Sequence, residues 1–195
     1  MARRIIVDHY ARRAKHEHYV SRAVYKLKAI DQKYRLFGPG QRVLDLGCSP
    51  GSWLQYLGPR VGLAGLVVGI DRQPPVIDIA PPLYFIAGDL EELNLDQVKA
   101  LSADFDAVLS DLAPATSGIR DVDHQRSMHL ARLAWYWAQE LLRPGGHFLV
   151  KVFEGLDFAE LVKQVRSHFT RTHIVKPAAS RSESREIYLL GWRRR

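Results

Sequence analysis

The chain has 195 residues, 47% hydrophobic and 25% charged, with a formal net charge of +7 and a single cysteine. That is enough for one domain with a substantial core, in a composition typical of soluble globular proteins. The lone Cys48 excludes an intrachain disulfide and a cysteine-cluster metal site, which suits a reducing, cytoplasmic setting.

Residues 1–15 read as a basic N-terminal arm, and residues 16–195 as the folded domain. No apolar signal core follows the opening arginines. A helix is expected over about 17–35, because Val20, Ala23, Val24, Leu27, Ile30 and Tyr34 fall on one apolar stripe. Lys26 lies at the edge of that stripe, where it can run along the body of the domain instead of into bulk water. Gly38-Pro39-Gly40 ends the segment. The apolar run Val43 to Leu46 then reads as a buried parallel strand. Gly47 and Gly51 bracket a tight turn, stiffened by Pro50, and a helix starts at Gly51-Ser52-Trp53. Gly58-Pro59 and Gly62 read as a loop.

Leu66 to Asp71 is a second strand that ends in an acid. Asp71 lies about twenty residues past Gly51, where nucleotide-binding α/β domains place a carboxylate for ribose hydroxyls. Leu83 to Ala87 is a third strand, followed by Gly88-Asp89; Asp89 can accept from an adenine amino group or simply shape a turn. A short helix is expected over Leu93 to Leu101 and a fourth strand over Phe105 to Asp111. The loop Leu112 to Gly118 then lies at the carboxyl edge, where open α/β sheets bind ligands. A long amphipathic helix follows from Asp123 to Leu142, and Arg143-Pro144-Gly145-Gly146 ends it. His147 to Phe153 is a fifth strand with one lysine, Lys151, among apolar neighbours. Asp157 caps a helix to His168, and Thr172 to Val175 and Ile187 to Trp192 are the last two strands. The longest apolar run, Leu63 to Ile70, is far below the roughly 18 residues of a membrane span.

Alternating strands and helices predict a single-domain, Rossmann-like α/β fold with a mostly parallel seven-stranded sheet. The closing hairpin supplies one antiparallel strand. The glycine loop matches neither the G-x-G-x-x-G of dinucleotide sites nor the G-x-x-x-x-G-K-[ST] of P-loops. It resembles motif I of S-adenosylmethionine (SAM) methyltransferases. Cations crowd both ends of the chain: Arg3, Arg4, Arg12, Arg13, Lys15, Arg22, Lys26, Lys28, Lys33 and Arg35, then Arg181, Arg185 and Arg193 to Arg195. Clustering of this kind points to a polyanion partner, most simply nucleic acid. A solvated surface is the plainer alternative.

Lys26, Asp111, Lys151 and Glu186 stand out, since each polar group occupies an awkward place. A buried lysine is costly unless it is paired or functional, and a Lys151–Asp111 ion pair joining two strands is the structural alternative. With these residues in hand, the chain resembles the RrmJ/FtsJ-type ribosomal RNA 2′-O-methyltransferases nearly end to end. The resemblance is carried by Ser21 to Leu27, Leu44 to Trp53, Ser110 to Pro114, Ser117-Gly118, Gly145-Gly146 with Val150 to Phe153, and Ser184 to Tyr188. It implies a catalytic Lys-Asp-Lys-Glu tetrad at Lys26, Asp111, Lys151 and Glu186. It implies SAM contacts at Gly47, Gly51, Trp53, Asp71, Asp89 and Asp111, and no metal. Ala115 departs from the pattern, since the family commonly has Asn after Asp-x-Ala-Pro.

The activity so implied is SAM-dependent methylation of a ribose 2′-hydroxyl in RNA. The implied target is a uridine of 23S-type large-subunit rRNA on a ribosomal particle. The enzyme is expected to be a cytoplasmic monomer with no membrane attachment. Lys151 would take the 2′-hydroxyl proton, or steer the hydroxyl and stabilise developing charge. Rival readings are a tRNA or mRNA-cap 2′-O-methyltransferase, a small-molecule methyltransferase, and a non-catalytic RNA-binding assembly factor.

Overall fold

The computed structural model describes residues 9–180 and 184–195. Arg3, Arg4 and Arg181 of the two basic clusters lie outside the described residues.

Seven strands form a single sheet in the order β3-β2-β1-β4-β5-β7-β6. They are β1 (Arg42–Leu46), β2 (Leu66–Asp71), β3 (Leu83–Ala87), β4 (Phe105–Ser110), β5 (Leu142–Phe153), β6 (Phe169–Val175) and β7 (Glu186–Arg194). The first five run parallel. β7 inserts between β5 and β6 and is antiparallel to both. The strand order reverses between β1 and β4, which opens a crevice at their carboxyl ends, the usual ligand site of such sheets.

Strand alternation sends side chains to two cores. Leu44, Leu46, Val108, Val150 and Leu189 join one core, beneath α5 (Arg120–Leu141) and α6 (Phe158–His168). Val43, Leu109, Leu149, Tyr188 and Leu190 join the other, beneath α2 (Val24–Tyr34) and α3 (Ser52–Val61). No helix among the described residues is long and apolar enough to cross a membrane.

Several boundaries differ from the sequence reading. The helix expected over 17–35 begins only at Val24, as α2, and a separate helix, α1 (His9–His16), forms mostly within the expected N-terminal arm, with turns between them. His18 takes a left-handed conformation, φ 60°, which breaks any continuous helix. Val20 falls in this break and is half-exposed, off the apolar stripe; its N–H donates to Gln55 Oε1 at 2.9 Å. α3 continues through Gly58-Pro59 before stopping at Gly62, whose N–H bonds Gly58 O at 3.0 Å. Pro59 sits in the last turn and leaves the helix one main-chain donor short there.

α4 is only Leu95–Lys99, started by an Asn94 capping box. α5 begins at Arg120, and Asp123 inside it accepts from Ser117 N at 2.6 Å, Ser117 Oγ at 2.9 Å and Gly118 N at 3.2 Å. Asp123 therefore ties down the loop after β4. Asp157 precedes α6 but makes no side-chain capping bond. Its carboxylate instead accepts from Gln125 and lies 3.7 Å from His124 Nε2. β5 starts at Leu142, with a register shift opposite Phe105/Ala107 that absorbs residues 143–146. β6 starts at Phe169, three residues before the expected Thr172.

Candidate active site

The alternation that builds the second core also assembles the polar cluster. Lys151 lies two residues beyond Leu149 on β5, Asp111 two beyond Leu109, and Glu186 two before Tyr188 on β7. All three share strand parity with residues of the α2-facing core. Lys26 enters from α2, within its first helical turn. Sheet parity and one helix thus bring together four residues that are up to 160 positions apart in sequence.

The contacts form one chain. Lys26 Nζ donates to Glu186 Oε2 at 2.8 Å. Glu186 Oε1 lies 3.9 Å from Lys151 Nζ. Lys151 Nζ is 3.0 Å from Asp111 Oδ1 and donates to the Asp111 main-chain oxygen at 2.7 Å. The lysines do not meet directly, since Glu186 stands between them. Two ammonium groups face two carboxylates, so the cluster is formally neutral, which is what allows Lys26 and Lys151 to sit only 7% and 5% exposed. Burial pushes the Glu186 carboxyl up, but the hydrogen bond and charge of Lys26, with the charge of Lys151, outweigh it and hold Glu186 below the ordinary carboxylate range.

Sequence reasoning passed over Tyr188 as a site residue. It is fully buried, and its hydroxyl donates to Asp111 Oδ1 at 2.7 Å. Burial, then the Asp111 charge, pushes the phenol well above its ordinary value, so it stays a donor. The available signal was spacing: residues i and i+2 on a strand share a face, which places Tyr188 beside Glu186.

Next to the tetrad a cavity of about 950 Å³ opens at the carboxyl edge of β1, β2, β3 and β4. Gly47, Asp71, Asp89 and Asp111 line it, with apolar surface from Ile70, Leu90, Leu112 and Leu130 among others. Gly47 has φ +84°, and a Cβ there would lie 2.7 Å from Leu112 Cδ2, so the turn requires glycine on both counts. Asp71 accepts from Ser49 N at 3.0 Å and Gln73 N at 3.0 Å, one bond on each oxygen. Asp89 accepts from Glu91 N at 3.1 Å and pairs with Arg72. The Glu91 N–H, then Arg72, holds its carboxyl below the usual range.

Gly51 and Trp53 are placed elsewhere. Gly51, φ +112°, caps α3, and a Cβ there would meet Ile77 at 2.9 Å. Trp53 is buried; its Nε1 donates to Ala23 O at 3.1 Å and its ring centroid lies 6.2 Å from that of Tyr188. It packs behind the tetrad instead of lining the cavity. At Ala115 only the main chain is polar, and its carbonyl accepts from Arg126 Nη1 at 2.9 Å. Among the described residues, no group of three or more His, Cys, Asp or Glu side chains is disposed to hold a metal.

Comparison with known proteins adds to this geometry. The sequence matches the FtsJ-like methyltransferase family over residues 19–194. It is 46% identical over 191 residues to the ribosomal RNA large subunit methyltransferase E of Syntrophobacter fumaroxidans, covering 96% of each chain. With the protein of that name from Desulfatibacillum aliphaticivorans it shares 43% identity over 185 residues, 95% of this chain and 89% of the relative. Among solved structures, a Plasmodium falciparum protein assigned as a ribosomal RNA methyltransferase superposes with a TM-score of 0.78 at 30% identity, over 90% of this chain and 98% of the other.

Proposed function

The chain belongs to the FtsJ-like methyltransferase family, and from that premise we propose that it transfers a methyl group from SAM to a ribose 2′-hydroxyl of RNA. The names of its relatives point to large-subunit rRNA, and the substrate we propose within it is a uridine presented on a ribosomal particle. The enzyme acts in the cytoplasm as a monomer.

The observation that carries this reading is the double membership of Asp111. It lines the cavity and is also held by Lys151. A ligand in the cavity therefore meets the tetrad at Asp111.

The cavity suits SAM. Its volume falls in the usual range for small-molecule sites. Asp71 uses two of about four lone-pair sites on main-chain donors, which leaves acceptors for a pair of ribose hydroxyls. Asp89 serves the adenine amino group. Gly47 serves the methionyl end through the main chain of the turn, which Gly51 shapes and Trp53 supports from behind the tetrad, and Asp111 lies at the reacting end. When bound, SAM supplies an electrophilic methyl group on a sulfonium.

The tetrad acts on the other reactant. A ribose hydroxyl is a weak nucleophile and must shed its proton as it attacks. Lys151 Nζ has three positions besides its carbon, and the main-chain and carboxylate oxygens of Asp111 occupy two of them. The remaining position on Lys151 Nζ faces the 2′-oxygen, where it takes the hydroxyl proton or steadies the oxygen's developing charge. Glu186 keeps Lys151 in place from the far side, and Lys26 holds Glu186. Tyr188 fixes the Asp111 carboxylate.

The test is transfer of labelled methyl from SAM to large-subunit rRNA, with 2′-O-methyl sites mapped in cells with and without the protein. Loss of one ribose methylation in the deletion, restored by the purified protein, is expected. An unchanged map would remove rRNA as the substrate.

A further inference from the structure

The outer edge of the sheet carries charge that the tetrad does not need. Residues 165–180 and 187–195 contain no Asp or Glu. β6 and the end of β7 lie there, and the tip of α2 joins them through the Tyr34 and His173 rings, 4.8 Å apart. Several cations elsewhere are compensated: Arg13 and Lys28 share Glu17, Arg60 faces Asp31, and Arg143 faces Asp106. Lys33, Arg35, Arg171 and Arg193 have no carboxylate within 4.0 Å among the described residues.

At the centre stands Trp192, partly exposed. Arg171, its register partner on β6, places its guanidinium 5.6 Å from the ring centroid, and Arg193 places its own at 4.2 Å. Arg193 adopts φ 55°, unusual for a side chain of that size. Its main-chain N–H donates to His147 Nδ1 at 3.3 Å. Burial, then the Arg193 charge, lowers the His147 pKa to about 4, which keeps the ring an acceptor. His147 thus fixes the backbone that holds Arg193 over the indole.

We propose that this edge is a second RNA contact, a phosphate track with Trp192 as its stacking platform. The proposal rests on RNA being the substrate. Trp192 and Glu186 share one face of β7, six residues apart, or about 20 Å along the strand. RNA gripped here extends several nucleotides beyond the one held at the tetrad. Uncompensated guanidinium groups suit phosphates, and a cation-flanked indole suits an unpaired base. The plainer role of cations on an edge strand is to stop it pairing with another sheet. That role requires neither an indole beneath the cations nor an arginine held in a left-handed conformation.

The test uses full-length protein, transcribed large-subunit rRNA and a short oligoribonucleotide spanning only the target nucleotide. The variants are the double charge reversal Arg171→Glu/Arg193→Glu, and Trp192→Ala. For the double variant, long-RNA affinity should fall at least about tenfold and the salt slope of binding should drop by about two. Trp192→Ala should cost about tenfold with the slope kept. SAM affinity, turnover at saturating RNA and affinity for the short oligoribonucleotide should not change. Unchanged long-RNA affinity and slope would overturn the proposal. So would variants that bind RNA normally but self-associate in sedimentation, since the cations would then only guard the edge. A wild-type protein that binds no rRNA at all would instead overturn the substrate reading, and this proposal with it.

Discussion

Lys151 holds Asp111 at two points, its carboxylate at 3.0 Å and its own main-chain carbonyl at 2.7 Å. One ammonium therefore fixes both the side chain and the backbone where β4 gives way to the cavity loop. A purely structural ion pair would need only the carboxylate. The second bond orients Nζ as well as neutralising it.

Lys151→Ala should accordingly lower turnover by about a thousandfold, within the range for lost acid–base or charge-stabilising groups. SAM and RNA affinities should change little, the signature of an interaction made in the transition state. Asp111 keeps its bond from Tyr188, so the fold should survive. Lys151→Arg should not rescue the rate, because the guanidinium stays protonated and has a different shape. Single-turnover methyl transfer, with calorimetry for SAM, measures both. A folded Lys151→Ala protein with near-normal turnover would move the chemistry elsewhere.

Asp71→Asn tests the cofactor end of the cavity. The amide keeps one acceptor oxygen, but loses the charge that strengthens bonds from ribose hydroxyls. Charge-assisted bonds contribute about 2 kcal/mol each, so SAM affinity should fall at least about tenfold. RNA affinity should be unaffected. Equal SAM affinity by calorimetry would take Asp71 out of the site.

Much of the fold was legible because the buried parallel strands are continuous apolar runs bounded by glycine, proline or an acid, as in Val43 to Leu46 and Leu66 to Asp71. The missed boundaries depend on features that an apolar pattern does not record. The break before α2 is set by the sign of one dihedral, at His18. The early start of α5 accompanies hydrogen bonds from Ser117 and Gly118 to Asp123. Lys151 could be singled out because a lysine inside a strand is conspicuous, while Lys26, Asp111 and Glu186 joined it as a tetrad through the family resemblance. Tyr188 was not singled out, because a tyrosine in a strand reads as ordinary core until its hydroxyl is seen on Asp111.

Glu186 makes the cluster sensitive to acid. Its folded pKa lies below the unfolded value of about 4.3. A depressed carboxylate stabilises the fold above the unfolded pKa, and that contribution disappears as the pH falls through the folded value. Glu186→Gln should therefore lower the urea midpoint near neutrality, and its deficit against the wild type should shrink as the pH drops below about 4. Urea titrations across that range measure the gap. A constant deficit would mean that shape, not charge, accounts for the loss.

Asp45 makes the opposite prediction. Its side chain is fully buried in β1, between Gly69 and Leu109 of the flanking strands. Neither carboxylate oxygen finds a hydrogen-bond partner among the described residues. Burial first, then the charges of Asp111 and Asp71, raises its carboxyl well above the ordinary range. The folded chain thus keeps a proton that the unfolded chain releases above about pH 3.9. By linkage, this group erodes stability as the pH rises from there toward the folded pKa. Asp45→Asn keeps the shape and removes the titration. Its urea midpoint relative to that of the wild type should rise steadily as the pH increases above about 4. The carboxamide is as short of partners as the carboxyl, a cost that does not vary with pH, so the trend with pH is the readout. A relative midpoint that stays flat or falls as the pH rises would instead show that Asp45 is ionised in the folded chain.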